Sequence, residues 1–267
     1  MNPFTKIRQD IQRTIWPYGT VAKIFRGYLK GYKFIVSENS GWSPILGRWE
    51  PESHRIFARM IKPGQTVFDL GANNGIHSLL FAKLVGNTGK VFAFEPLPEN
   101  IAEIEKNSTL NGISNIKVVR AAVSDKDGTA TFYLGRYNKQ GSIVGIGSQT
   151  GQEVEVRLIT LKTFIEKEKI KPDFVKIDIE GAESSALAGF GSLIEQCKPV
   201  FFIELHTPEQ DEKVGKILQQ YNYDVYRLTE KSVDNTLGIP FLEKIKDLNR
   251  IHPHPDGIWG TVLALPK

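Results

Sequence analysis

From Thr66 onward the chain alternates short, almost wholly apolar runs with segments of helix length, and this alternation restricts the fold more than any other feature. Runs at 66–70, 91–95, 116–123, 174–178 and 200–205 are rich in β-branched and aromatic residues. Such runs suit the strands of a parallel sheet covered on both faces. Between and after them, helices are predicted over about 75–86, 98–111, 182–196 and 209–221, giving a βαβ series and a doubly wound α/β sheet. Two runs that alternate like strands, 129–134 and 153–160, enclose a polar, Gly-rich stretch at 135–151. They predict an inserted hairpin and substrate loop at about 129–160. Runs at 223–228 and 258–265 read as two further strands, the second with the mixed pattern of a strand near a sheet edge.

Upstream of this series the pattern changes. Ile7, Ile11 and Ile15 stand four apart among Lys6, Arg8, Asp10 and Arg13, the spacing of an amphipathic helix over 5–16 that Pro17 and Gly19 end. Residues 31–49 predict a small hairpin or irregular cap before a helix at about 51–61, and Lys62-Pro63-Gly64 turns the chain into the main domain. The expected division is therefore a basic arm and cap over 1–61 and one α/β domain over 62–267, a reasonable load for 267 residues.

Val67-Phe68-Asp69-Leu70-Gly71-Ala72-Asn73-Asn74-Gly75 is a strand running into a Gly-containing turn that opens a helix. Ligands of such sheets sit beyond the carboxyl ends of the strands, where glycines allow close approach to the backbone. Glu95 ends the second strand, where its carboxylate can accept hydrogen bonds from both hydroxyls of a ribose. The turn reads Gly-x-x-x-Gly, which departs from the dinucleotide fingerprint, and Asp69 beside it would repel a pyrophosphate. S-adenosylmethionine, with an ammonium and a sulfonium, suits an acid there, while the helix N-terminus near Gly75 can receive its carboxylate.

Charge and cysteine usage narrow the function classes. The net charge of +4 is uneven, because residues 1–33 carry seven Lys and Arg against Asp10 alone, an excess of +6 that leaves the remainder at −2. A near-neutral body argues against a nucleic-acid enzyme, whose basic surface surrounds its site. Cys197 is the only cysteine, so no intrachain disulfide forms. No apolar run approaches the roughly 20 residues of a spanning helix and no signal-peptide core is evident, so the expected location is cytoplasmic. The basic isoleucine-striped arm admits two readings: peripheral contact of residues 1–30 with an anionic inner membrane surface, or packing on protein.

With the blocks Asp69 to Gly75, Phe94-Glu95-Pro96, Ala122-Val123-Ser124-Asp125, Lys176-Ile177-Asp178-Ile179-Glu180-Gly181-Ala182-Glu183 and Ile203-Glu204-Leu205-His206, the chain resembles the FkbM family of methyltransferases over about 48–230. The resemblance implies a class I methyltransferase (Rossmann-like) fold, with a seven-strand sheet whose last strand is antiparallel. It also implies S-adenosylmethionine as cofactor and O-methylation, often of a sugar or polyketide hydroxyl. By the same resemblance Asn73, Asn74 and Pro96 belong to the cofactor site, and Ala122, Val123 and Ser124 edge its adenine.

Asp178 and Glu204 stand at the ends of two strands that, as neighbours, bring their acids together over the sheet. His206 is the expected base by type, since its ordinary pKa is near neutrality and an alcohol needs help to lose its proton. A Mg²⁺-like ion held by Asp178 and Glu204 is the rival device. Lys176 is either part of this face or a buried partner for an acid, and Glu180 and Glu183 either act in the site or favour a helix N-terminus. His252-Pro253-His254-Pro255-Asp256 is either a ligand cluster or an ordered loop. The acceptor is expected to be a small molecule or glycan; N-methylation of an amine and a non-catalytic nucleoside-binding module are the alternatives.

Overall fold

The computed structural model describes residues 17–37, 41–135, 141–144, 149–229, 237–239, 241–246 and 260–267. The isoleucine stripe of the arm and the His252–Asp256 cluster lie outside the described residues.

A first hairpin, β1 (Val21–Lys23) and β2 (Lys33–Ile35), is followed by helix α1 (Pro51–Met60) and then by the alternating series. The series runs β3 (Thr66–Leu70), α2 (Ile76–Val85), β4 (Lys90–Phe94), α3 (Pro98–Leu110) and β5 (Ile116–Val119). A smaller sheet comes next, with β6 (Ala122–Val123), β7 (Gly128–Gly135), β8 (Gly141–Ser142) and β9 (Gln149–Ile159) in the order β6-β9-β7-β8. The main sheet resumes through α4 (Leu161–Glu168), β10 (Phe174–Ile177), α5 (Glu183–Phe190), α6 (Leu193–Cys197), β11 (Val200–Leu205), α7 (Pro208–Gln220) and β12 (Tyr223–Leu228). It closes with β13 (Leu242–Lys244) and β14 (Gly260–Pro266).

The strand order of the main sheet is β13-β12-β14-β11-β10-β3-β4-β5. β11, β10, β3, β4 and β5 are mutually parallel, and β14 runs antiparallel to both of its neighbours, β11 and β12. Successive residues of a strand face opposite sides, so the apolar runs feed two cores. On one side Phe164 of α4 packs edge-on against Phe68, Phe92 and Phe94. On the other, Phe57 of α1 meets Phe81, Phe174 and Phe202 with ring centroids 4.7–5.8 Å apart. Edge-to-face pairs of this kind add about 0.5–1.5 kcal/mol each beyond their area burial. Because Phe34, Ile45, Ile56 and Phe57 belong to the same core cluster as Val67, Phe81 and Phe202, the described part of the N-terminal segment is packed into the main domain's core.

Several expectations change in the structure. The run at 116–123 is two strands, because after Val119 the chain leaves β4 and Ala122–Val123 pairs instead with β9. The expected helix at 182–196 is broken at Gly191, whose left-handed φ of 58° ends α5. Helix α4 was not anticipated; Thr160 caps it by accepting from the Thr163 amide, a signal that an adjoining strand-like run obscures. The final strand lies inside the sheet, between β11 and β12, with Val262, Leu263 and Ala264 buried. The short β13 takes the edge, so the described sheet has eight strands where the resemblance implies seven. The hairpin begins at Val21, ahead of the expected 31–49. No described helix is long and apolar enough to cross a membrane.

Candidate active site

From β3 the chain steps outward to β4 and β5 and later returns to form β10 on the other side of β3, so the carboxyl ends of β3 and β10 flank a switch point where such sheets bind ligands. A solvent-open cleft lies there, lined by residues of the turn after β3, of the segment after β4 and of the segment after β10. Its floor is the turn after β3, where Gly71, Asn73 and Gly75 adopt left-handed φ values of 77°, 49° and 82°. Gly71 is required by its neighbour rather than by a ligand. A Cβ on it would sit 1.9 Å from the Asp178 carbonyl oxygen.

Glu95 is buried at the wall of the cleft and braces this turn. Its Oε2 accepts from the Asn73 amide at 2.9 Å, and Oε1 accepts from the Leu97 amide at 3.0 Å and from Asn100 Nδ2 at 3.1 Å. Burial raises its pKa to about 7 despite those three donors. Asn74, Pro96, Ala122 and Val123 also line the cleft, together with Leu97 and Ala121. Ser124 does not: its amide donates to the Ile159 carbonyl and its hydroxyl to Asp125, and a Cβ on Gly189 of α5 would meet its carbonyl at 2.0 Å.

Asp69 also stands away from the cleft. It is wholly buried, accepts from Ser78 Oγ at 2.5 Å and lies 3.6 Å from Lys176 Nζ. The parallel register places Lys176 directly opposite Asp69, so the lysine reaches both this acid and Asp178, at 3.0 Å. Lys176 is thus the buried partner of two acids. Burial opposes its charge, yet Asp178, Asp69 and Glu50 together hold its pKa above the ordinary lysine value.

Register pairs Ile177 with Ile203, which brings the following residues, Asp178 and Glu204, to the same end of neighbouring strands. Asp178, Glu204 and His206 each offer one ligand-type atom, and these atoms all lie within 4.8 Å of one another. The Asp178 charge is the first cause, and burial the second, of a Glu204 pKa raised to about 8.

His206 differs from its sequence-level assignment. Burial alone would lower its pKa, but a 2.7 Å bond from Nδ1 to the fully buried Glu183, with the charges of Asp178, Glu183 and Glu180, pushes it up to about 9. Nε2 lies 3.6 Å from Asp178 and 3.4 Å from Glu180. At neutral pH the ring is an imidazolium, and so is not a free base.

The Asp178 and Glu180 side of the cleft faces the smaller sheet, where Ser142 Oγ donates to the Glu180 carbonyl at 2.6 Å and Phe132 and Ile143 join the lining. The cleft further contains Trp49, Glu50 and His77, which sequence reasoning did not single out. One local signal marks Glu50: an acid with a long side chain stands directly before Pro51, where a short Ser, Thr, Asp or Asn would cap the helix better.

The Methyltransferase FkbM domain profile matches residues 69–227. A hexuronic acid methyltransferase, AglP, of Haloferax volcanii is 25% identical over 176 residues, spanning 65% of this chain and 69% of that protein. The 31-O-demethyl-FK506 methyltransferase FkbM of Streptomyces tacrolimicus is 30% identical over 188 residues, spanning 58% of this chain and 71% of that protein. A crystal structure of a methyltransferase FkbM from Methylobacillus flagellatus KT aligns with a TM-score of 0.45 at 15% identity, covering 80% of this chain and 50% of that one.

Proposed function

Because this chain belongs to the FkbM family of S-adenosylmethionine-dependent methyltransferases, we propose that it methylates a hydroxyl oxygen of a sugar, glycan or other small-molecule natural product. The observation that carries this reading is the carboxylate pair Asp178 and Glu204 at the ends of β10 and β11, beside the cleft.

The cleft's residues fit the cofactor. Glu95 Oε2 accepts one hydrogen bond from the described residues and so keeps acceptor capacity toward a ribose hydroxyl. Leu97, Ala121, Ala122 and Val123 form an apolar slot suited to an adenine, and the turn from Gly71 to Asn74 holds the cleft floor. Bound S-adenosylmethionine supplies a methyl group made electrophilic by its sulfonium. The chain's own contribution is positioning and a place for the acceptor's proton. Asp178, which lines the cleft, is the proton acceptor, and the His206 imidazolium, fixed by Glu183, lies 3.6 Å from it.

A divalent cation is a second way to use the same atoms, since oxygen ligands from Asp178 and Glu204 with His206 are within reach of one ion. That arrangement would require His206 to give up its proton.

Two results would check the reading. Incubation with methyl-labelled S-adenosylmethionine and a panel of glycosides, hexuronic acids included, is expected to yield label that resists mild alkali, as an ether does. Label released by alkali would instead show esterification of a carboxyl group, and label found on an amine would show N-methylation. Asp178→Asn is expected to lower turnover at least about a hundredfold, the low end for removal of an acid–base group. Loss of activity on chelation, restored by Mg²⁺, would establish the cation route; indifference to chelation would leave the carboxylate pair alone.

Glu95→Ala is expected to weaken S-adenosylhomocysteine binding by about 1.5–3 kcal/mol in calorimetry, the range for hydrogen bonds to a charged group. Unchanged affinity in a folded variant would remove Glu95 from the cofactor site.

A further inference from the structure

Three polar groups on one wall of the cleft are incompletely paired among the described residues, and all three come from the N-terminal segment or the start of α2. Glu50 is the first. It sits at the N-cap of α1 yet makes no capping bond to the helix backbone, and it adopts a left-handed conformation (φ 39°, ψ 59°) that is rare for a side chain of its kind. A strained N-cap residue whose side chain does not cap the helix backbone points to a function for that side chain. Its carboxylate has Ser53 as a hydrogen-bonding neighbour and lies 3.5 Å from His77 Nε2, too far for a good hydrogen bond. Burial holds the pKa of His77 well below its ordinary value, so this neighbour is neutral.

Trp49 is the second. Its indole Nε1–H is buried at the cleft without a hydrogen-bond acceptor among the described residues. The third is His77 itself, 5% exposed and lining the cleft, whose buried Nε2 likewise has no hydrogen bond. Buried polar groups without partners are rare enough to need a reason.

The other acids of the cleft are already engaged. Glu95 accepts from three N–H groups, Asp178 pairs with Lys176 at 3.0 Å and Glu180 lies 3.4 Å from the His206 imidazolium. Asp69, the acid that sequence reasoning matched to the cofactor's ammonium, is wholly buried and does not line the cleft. A carboxylate that feels the Lys176 charge but has no lysine or arginine within 4.0 Å among the described residues, beside a donor that lacks an acceptor, is complementary to a zwitterionic α-amino acid group. S-adenosylmethionine carries such a group.

We infer that Trp49 and Glu50 form the receptor for the amino-acid end of the cofactor: Glu50 binds the ammonium and the Trp49 indole N–H donates to the carboxylate. This reading concerns the cofactor alone and does not depend on which acceptor is methylated. It gives the N-terminal segment a specific task, because Trp49 and Glu50 lie outside the matched region 69–227.

Two ligands separate this role from a general one: S-adenosylhomocysteine, and 5′-methylthioadenosine, which keeps the nucleoside and thioether but has no amino-acid end. Calorimetry on the full chain is expected to show Glu50→Gln binding S-adenosylhomocysteine at least about tenfold more weakly, with 5′-methylthioadenosine unchanged. Trp49→Phe should show the same selective loss, about three- to tenfold, and supplies an independent reading should Glu50→Gln fail to fold. Equal loss for both ligands would make these residues structural supports. Unchanged affinity for S-adenosylhomocysteine, with the acceptor's KM raised instead, would move them to the acceptor side and overturn the inference.

Discussion

Gly71→Val is expected to lower stability by about 3–5 kcal/mol and to abolish S-adenosylhomocysteine binding. Two costs combine. A side chain in a left-handed conformation costs about 1–2 kcal/mol, and Gly71 has φ 77°. The added Cβ would also lie 1.9 Å from the Asp178 carbonyl oxygen, so either the turn or the end of β10 must move; overpacking of this kind costs about 1–3 kcal/mol, occasionally more. Displacement of either element reaches the cleft floor and Asp178, the proposed proton acceptor, together. Gly86 supplies the control, since its φ is 66° but nothing lies within 4 Å of a Cβ there. Gly86→Ala should therefore cost only the conformational part, about 1–3 kcal/mol for its essentially Gly-only φ of 66° and ψ of −171°. Urea unfolding of both variants measures the difference, and equal costs would show that the close approach to Asp178 is unimportant.

The second large effect belongs to Lys176. Its ammonium is buried between Asp69, at 3.6 Å, and Asp178, at 3.0 Å. Lys176→Met keeps much of the volume and leaves Asp69 wholly buried with the Ser78 hydroxyl as its remaining hydrogen bond. Breaking a buried pair from one side costs about 3–5 kcal/mol, because an uncompensated charge stays behind. The double variant Asp69→Asn with Lys176→Met removes both charges and should recover at least half of that loss. A double variant no more stable than Lys176→Met would show that the ion pair is not the source of the cost. The comparison also tests the place of Asp69: if its charge serves the framework rather than the cofactor's ammonium, Asp69→Asn should reduce stability more than it reduces affinity for S-adenosylhomocysteine.

Most of the site's backbone positions were legible because local rules govern them. The strand-to-turn-to-helix passage from Val67 to Ile76 announces itself by apolar alternation and by glycines at φ values other residues avoid. Glu95, Asp178 and Glu204 were placed at or just beyond strand ends by the same periodicity, and parallel register then brings Asp178 and Glu204 together. What these rules do not contain is the electrostatic neighbourhood of each group. His206 looked like a base because an isolated imidazole has a pKa near neutrality. Glu183, placed at its Nδ1 by the start of α5, converts it to an imidazolium. Asp69 looked like a cofactor ligand because it stands beside the turn in sequence. The strand's alternation instead turns it toward Lys176, directly opposite on β10.

The α/β layering, the Gly-containing turn after β3 and the family are readable from the chain alone, since each depends on patterns a few residues long or on motifs that survive as short blocks. Tertiary pairing was needed to insert β14 between β11 and β12, to move Ala122–Val123 to another sheet and to bring Trp49 and Glu50 to the cleft. These outcomes depend on pairings and charge contacts between residues far apart in the chain. No local pattern records such partners, because pairing energies and pKa values depend on which groups the folded core brings within a few ångströms of one another.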